Sequence, residues 1–258
     1  MLKVAHISDL HFFCPPVSYK ELLGGNWKGV CNYVLFRRKT FDSYHLTKLL
    51  GSLKSNCIDE LWISGDLTVS GTKKEFLKAI EILNLDALEI PFRIIPGNHD
   101  LRSNEKSFFC KTFYASDDIV SLSELSPFWD LISLDLSFNG KNRDQGLFCE
   151  KSSKMLDFAL CQSSKPSIAI MCHYPLKSGP NDKNPLQKES SLQQVLLKDP
   201  RVKLYVHGHN HRQSCFAVEH IHCASAGLIR SKFGEYNIYT FTDEQVNILL
   251  KNTEKGSL

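Results

Sequence analysis

Short apolar runs alternate along this chain with longer segments whose apolar positions recur every three or four residues. Residues 3–7, 61–64, 92–95 and 168–172 are short, apolar or β-branched, and bounded by polar residues, Gly or Pro. That is the pattern of strands buried on both faces. Leu46, Leu49, Leu50 and Leu53 share one face of a helix beginning at residue 42 or 43, and Phe76, Ile80 and Leu83 share one after Thr72. Strands separated by helices predict a layered α/β core. From Val202 the texture becomes strand-rich, with runs at 203–206, 215–220, 236–241 and 246–251, so the last third is expected to form a mostly antiparallel sheet. Two sheets face to face, with helices outside, would bury a core suited to 258 residues.

Composition narrows the class. With 42% hydrophobic, 23% charged and 10% aromatic residues the chain is of ordinary globular type, which excludes global disorder. No stretch approaches the roughly 18 apolar residues of a membrane-spanning helix. The apolar start runs into Ser8-Asp9 too soon for a secretion signal, so cytosol is the expected compartment. Nine cysteines, an odd number without a Cys-x-x-Cys pair, spell out neither a disulfide framework nor a thiolate zinc site, and most are expected as reduced core residues. There is no Gly/Ser/Pro-rich linker and no internal repeat, so one domain over 1–258 is expected. Net charge is only +3, too small to suggest nucleic-acid binding. The segment from Lys20 to Asp42 carries Lys20, Lys28, Arg37, Arg38 and Lys39 against Glu21 and Asp42, which alone equals that excess.

Candidate chemistry stands immediately after the expected strands, where the loops of α/β folds converge on a site. The first strand ends in Ser8-Asp9-Leu10-His11, and in extended chain Asp9 and His11 would point the same way. The second ends in Ser64-Gly65-Asp66, where Gly permits a tight turn. The third gives Gly97-Asn98-His99-Asp100, a tetrapeptide expected by chance in roughly one chain of this length in several hundred. Asn98 offers a neutral oxygen suited to a hard divalent ion, and His99 fits a ligand, an acid or a positioner of charge. The fourth ends in Cys172-His173-Tyr174-Pro175 and the fifth in His207-Gly208-His209-Asn210-His211, three histidines that would alternate onto one side if extended. Taken singly, a turn aspartate or a structural histidine accounts for several of these as well; together they arrive in the order expected for one mouth of one sheet. Gly-x-Ser-x-Gly, P-loop and cysteine-nucleophile contexts are absent, so a covalent intermediate is not indicated.

Asp9-x-His11, Gly65-Asp66, Gly97-Asn98-His99-Asp100, His173 and Gly208-His209-x-His211 resemble the five-block signature of calcineurin-like metallophosphoesterases, across residues 4 to 211. The resemblance implies a four-layer α/β/β/α sandwich and two divalent ions. One would be held by Asp9, His11, Asp66 and His211, the other by Asp66, Asn98, His173 and His209, with Asp66 bridging. Manganese is the expected ion, with Fe, Zn, Co and Ni compatible. The resemblance leaves His99 as a non-ligand that stabilises the phosphoryl group or protonates the leaving oxygen, with Asp100 orienting it. His207 lies outside the pattern and is expected to be a core strand residue. Residues 225–227 are expected to form a plain turn, with a pocket lining as the alternative. The implied reaction is hydrolysis of a phosphodiester or pyrophosphate bond by a water that the two ions acidify.

Substrate is less determined. The insert at 19–42, with Trp27, Arg37 and Arg38 as candidate substrate contacts, interleaves apolar and basic residues in the manner of an interfacial element or a grip on an anionic amphiphile. It is similar to inserts of the UDP-2,3-diacylglucosamine pyrophosphatases of lipid A synthesis, which implies a nucleotide-sugar lipid substrate and peripheral contact with the inner face of the membrane. A soluble 3',5'-cyclic nucleotide phosphodiesterase and a non-catalytic scaffold are the two alternatives. An insert that only packs on the domain, or covers a partner subunit, fits the same composition.

Overall fold

The computed structural model describes residues 1–15, 44–103, 105–113, 115–137, 145–179, 182, 184–231 and 233–253. The insert at 19–42, with Trp27, Arg37 and Arg38, therefore lies outside the described residues. Eleven strands are described: β1 Leu2–Ile7, β2 Glu60–Ile63, β3 Phe92–Ile94, β4 Val120–Ser126, β5 Trp129–Leu134, β6 Ser167–Cys172, β7 Val202–His207, β8 Gln213–Val218, β9 Ile221–Ala226, β10 Glu235–Phe241 and β11 Val246–Asn252. The described α-helices are α1 Tyr44–Ser52, α2 Lys73–Leu83, α3 Lys106–Phe113, α4 Glu150–Gln162 and α5 Glu189–Leu197.

The strands form two sheets, β11-β10-β1-β2-β3 and β4-β5-β6-β7-β9-β8. In the first, β1, β2 and β3 run parallel and β10 joins β1 antiparallel, pairing His6 with Asn237. In the second, β5, β6, β7 and β9 are parallel, with antiparallel β4 and β8 at the edges. The last third thus divides between both sheets instead of forming one antiparallel sheet, and β7 is parallel to both of its neighbours, β6 and β9. The β8–β9 hairpin places β9 next to β7, so a local turn, not the sheet's direction, was what the strand-rich texture reflected.

Three apolar layers make the α/β/β/α sandwich. Ala5, Ile7, Leu61 and Ile63 face Leu46 and Leu49 of α1, Phe76 of α2 and Phe109 of α3. Val4, Trp62 and Tyr239 of the first sheet meet Trp129, Met171 and Val206 of the second. Ile132, Ile170 and Tyr205 are covered by Leu156 of α4 and Leu192 of α5. Both faces of each sheet are buried, which explains why the central strands read as continuous apolar runs. The cysteines follow the expectation only in part: Cys110, Cys172 and Cys223 are buried, whereas Cys57, Cys161 and Cys215 are exposed and Cys14 and Cys149 intermediate. All eight described cysteines are free thiols.

Because β1, β2, β3, β6 and β7 carry the five sequence blocks at their carboxyl ends, the sandwich gathers those blocks at one mouth.

Candidate metal centre

The ligand loops are not extended. Asp9, His11, Asp66, His209 and His211 all have left-handed backbone, with φ of 56°, 46°, 54°, 70° and 54°. Strand-like alternation therefore does not bring Asp9 to His11 or His209 to His211; sharp left-handed turns do, and His207, at the end of β7, is left out of the cluster. Asp tolerates such φ better than most residues, and the surrounding hydrogen bonds impose it on the histidines. Asp9 and His11 donate their backbone N–H to the carbonyls of Gly65 and Asp66, at 3.0 and 2.9 Å. Two glycines leave room for the crossing. A Cβ on Gly208 would collide with Ser8 Oγ and approach Asp9 Oδ2 to 2.5 Å, and one on Gly97 would strike Asp66 Oδ1.

Asp66 stands at the centre. Its Oδ1 accepts the His99 N–H at 2.9 Å, and its Oδ2 lies 3.5 Å from His173 Nε2, 3.9 Å from His11 Nε2 and 4.0 Å from His99 Nε2. On one side, Asp9 Oδ1 is 3.3 Å from His211 Nε2 and 3.8 Å from His11 Nε2, while the two imidazole nitrogens are 2.9 Å apart. On the other, His173 Nε2 is 3.2 Å from Asn98 Oδ1 and 3.3 Å from His209 Nδ1. Ligand atoms of Asp9, His11 and His211 lie within 4.8 Å of one another, as do those of Asp9, Asp66 and His173. His99, Asp66 and His11 form a third such group, so His99 is also within ligand reach.

The protons are accounted for elsewhere. A carbonyl oxygen only accepts, so His173 Nδ1 carries its hydrogen toward Ser64 O at 2.8 Å, His209 Nε2 toward Asn184 O at 3.0 Å, and His99 Nδ1 toward Val69 O at 2.7 Å. The opposite nitrogen of each neutral ring then presents a lone pair to the cluster, facing carboxylate and amide oxygens. Asp9 Oδ1 is buried and meets no hydrogen-bond donor. Such a gathering of acceptors repels itself unless a cation sits among them, and imidazole, carboxylate and amide oxygen are the donor set of first-row divalent ions. The residues fit two ions sharing Asp66.

Electrostatics agree. Burial opposes ionisation of Asp66 and Asp9, yet the surrounding histidines hold both well below the usual carboxylate range. Burial also disfavours a charged His173, but Asp66 draws it up to about 9 when a proton is the only cation available. Burial lowers His99 to about 4, and Asp66 offsets only part of that.

The family model for calcineurin-like phosphoesterases matches residues 2–213. The chain belongs to the calcineurin-like phosphoesterase family. It is a metal-dependent phosphoesterase, and its two helix-flanked mixed sheets are the metallophosphoesterase fold. It is 29% identical over 206 residues to a probable cyclic nucleotide phosphodiesterase of Ruthia magnifica subsp. Calyptogena magnifica, covering 76% of this chain and 83% of that one. It is 31% identical over 162 residues to a probable glycerophosphodiester phosphodiesterase of Arcobacter nitrofigilis, covering 60% and 58%. Among solved structures, a dimetal phosphatase from Danio rerio superposes with a TM-score of 0.71 at 14% identity, over 97% of this chain and 95% of that one, a likeness of fold.

One expected role in this phosphoesterase, that of Asp100, looks different in the structure. Asp100 does not orient the His99 ring directly. Its oxygens accept from Leu67 N, Thr68 N, Thr68 Oγ1 and Gly97 N, tying the loop after β2 to the loop after β3. The ring is held instead by Val69 O, in the loop that Asp100 secures. His207 is buried with its Nδ1 on Gly208 O, and burial lowers it to about 4, as a core residue. Ser225 and Ala226 finish β9, buried and outside the ligand groups. The orienting carbonyls of Ser64, Val69 and Asn184 went unread because any residue type supplies a carbonyl.

Proposed function

We propose that the chain hydrolyses small phosphodiesters, with cyclic nucleotides as the first substrate class to test. The observation that carries this reading is the convergence of imidazole lone pairs and the orphaned Asp9 Oδ1 on Asp66, with the ring protons of His173, His209 and His99 turned outward to backbone carbonyls. Support for diesters comes from the relatives, whose names all specify phosphodiesterases. The ions are assigned to Asp9, His11, Asp66 and His211 on one side and Asp66, Asn98, His173 and His209 on the other, with manganese as the working choice. When bound, they would acidify a shared water and neutralise charge on the phosphoryl group.

The chain's own groups do the rest. His99 and His211 keep solvent access, with side chains 17% and 27% exposed, so an arriving phosphate meets them first. His99 is neutral at pH 7 because burial lowers it to about 4, and Val69 O already takes its Nδ1 hydrogen. Its Nε2 therefore presents a lone pair that can take a proton from the attacking water and pass it to the leaving oxygen. Asp100 keeps that ring in place through Thr68 and the loop to Val69. No described contact favours the UDP-sugar lipid over a soluble diester, since the insert behind that idea lies outside the described residues. Among the described residues no helix is long and apolar enough to cross a membrane.

The test compares cyclic AMP, bis(p-nitrophenyl) phosphate and p-nitrophenyl phosphate with manganese supplied, together with metal content. Diester turnover above monoester is expected. Asn98→Ala should lose part of its metal and most of its rate, whereas His99→Ala should keep metal and lose rate. Monoester preference, or no turnover of either diester, overturns the reading.

A further inference from the structure

The chain beyond the family match, which ends at residue 213, reaches back to the metal-facing loop with a buried arginine. Arg230 lies in the connection between β9 and β10 and is 6% exposed. Its Nη1 donates to the carbonyl oxygens of Leu10 at 2.6 Å and His11 at 3.1 Å, and its guanidinium stands 4.8 Å from the centroid of the Phe12 ring. Adjacent Ile229 is fully buried in the same cluster as Leu10 and Phe12, which pins the connection against this loop.

The backbone of residues 9–12 explains what these contacts accomplish. Asp9 and His11 both hold left-handed φ, which residues other than Gly keep only where the surroundings over-determine it. The N–H groups of Asp9, His11 and Phe12 are taken by the carbonyls of Gly65, Asp66 and Leu67. The carbonyls of Leu10 and His11 go to Arg230. Those two carbonyls belong to the peptide planes on either side of the His11 Cα. Holding both fixes φ and ψ of His11, and with them the direction of its Cα–Cβ bond into the cluster. The same contacts carry a buried positive charge close to a site that collects cations, which by Coulomb's law works against ion binding. Charge alone therefore gives Arg230 no reason to be there.

We propose that Arg230 is a positioning residue for His11, and through it for the ion on the Asp9, His11 and His211 side of Asp66. This rests on the dinuclear metal reading above. Positioning and charge make opposite predictions. If Arg230 acts only through its charge, Arg230→Gln binds ions more tightly; if it positions His11, that variant binds one of them more weakly.

The experiment titrates manganese into metal-stripped full-length protein, following free ion by electron paramagnetic resonance, with thermal melting of the ion-free chain alongside. Wild type is expected to bind two ions. Arg230→Gln should leave one affinity unchanged and weaken the other about 10–100-fold, the range for partners that orient metal ligands. Arg230→Lys, which keeps the charge and part of the reach, should show a smaller loss at the same ion, and it carries the test if the Gln variant fails to fold. Two unchanged affinities, tighter binding, or equal weakening of both ions would overturn the proposal while leaving the metal centre standing. A wild-type chain that binds no ion would remove the metal centre itself, and the proposal with it.

Discussion

Asp100→Asn tests how the loops of the site are tied. Both carboxylate oxygens only accept: Oδ1 from Thr68 N and Thr68 Oγ1, at 2.9 and 2.8 Å, and Oδ2 from Leu67 N and Gly97 N, at 3.1 and 3.0 Å. The Thr68 hydroxyl oxygen accepts the Gly71 N–H at 3.0 Å and keeps a second lone pair, so it can also accept from an asparagine NH2 in place of Oδ1. With its oxygen in place of Oδ2 an asparagine keeps the Leu67 and Gly97 N–H groups, but its NH2 then faces the Thr68 N–H, which is left without an acceptor. Leaving a buried N–H unsatisfied costs roughly 1–3 kcal/mol, so the variant should be destabilised by about that much. At roughly 2–4 °C per kcal/mol for a chain of this size, the melting temperature should fall by about 2–12 °C. The assay is thermal melting at pH 5 and pH 8: burial and the Asp66 charge push Asp100 up to about 7, so its ionisation in the fold costs stability as pH rises, and the deficit of the variant should be larger at pH 5. Activity should fall as well, because Val69 and His99 lose their support. A variant that melts at or above the wild-type temperature at pH 5 would refute the reasoning, since a buried N–H left without an acceptor only destabilises.

Two further variants probe neighbouring features. Glu75, in the capping box of α2, accepts from Ser70 N and Thr72 N, and burial pushes it up to about 7 against those donors. An acid raised from 4.5 contributes stability that is fully present below pH 4.5 and lost as pH climbs through 7, so in urea melts of ion-free protein the advantage of wild type over Glu75→Gln should shrink between pH 5 and 8, by up to about 3 kcal/mol; an advantage that grows with pH contradicts this. Gly208→Ala drives a methyl group into Ser8 Oγ and toward Asp9 Oδ2, and should displace Asp9 and its bond from His209 N, weakening metal binding. Unaltered manganese affinity would show that the crossing is less crowded than the distances state.

Strands buried on both faces were legible because sheet and helix layers together demand unbroken apolar runs, as at Ile168 to Met171. The serine-rich β4, the β9 return and helices α3 to α5 were not read, since polar positions interrupt their periodicity. The residue types of the centre were legible from their order along the chain, yet the route by which they meet was not. Left-handed φ at Asp9 and His11 depends on carbonyls contributed by distant loops, which leave no trace in residue identity. Arg230 illustrates the same limit: an isolated arginine some 220 residues from His11 carries no pattern that links the two.

The central claim is that two cations share the carboxylate of Asp66. Anomalous diffraction from crystals of the manganese-loaded chain, paired with metal analysis of the same preparation, tests it most directly. Two ions per chain are expected, one beside Asp9, His11 and His211, the other beside Asn98, His173 and His209, each touching an oxygen of Asp66. A single ion, none, or ions bound away from Asp66 would contradict it.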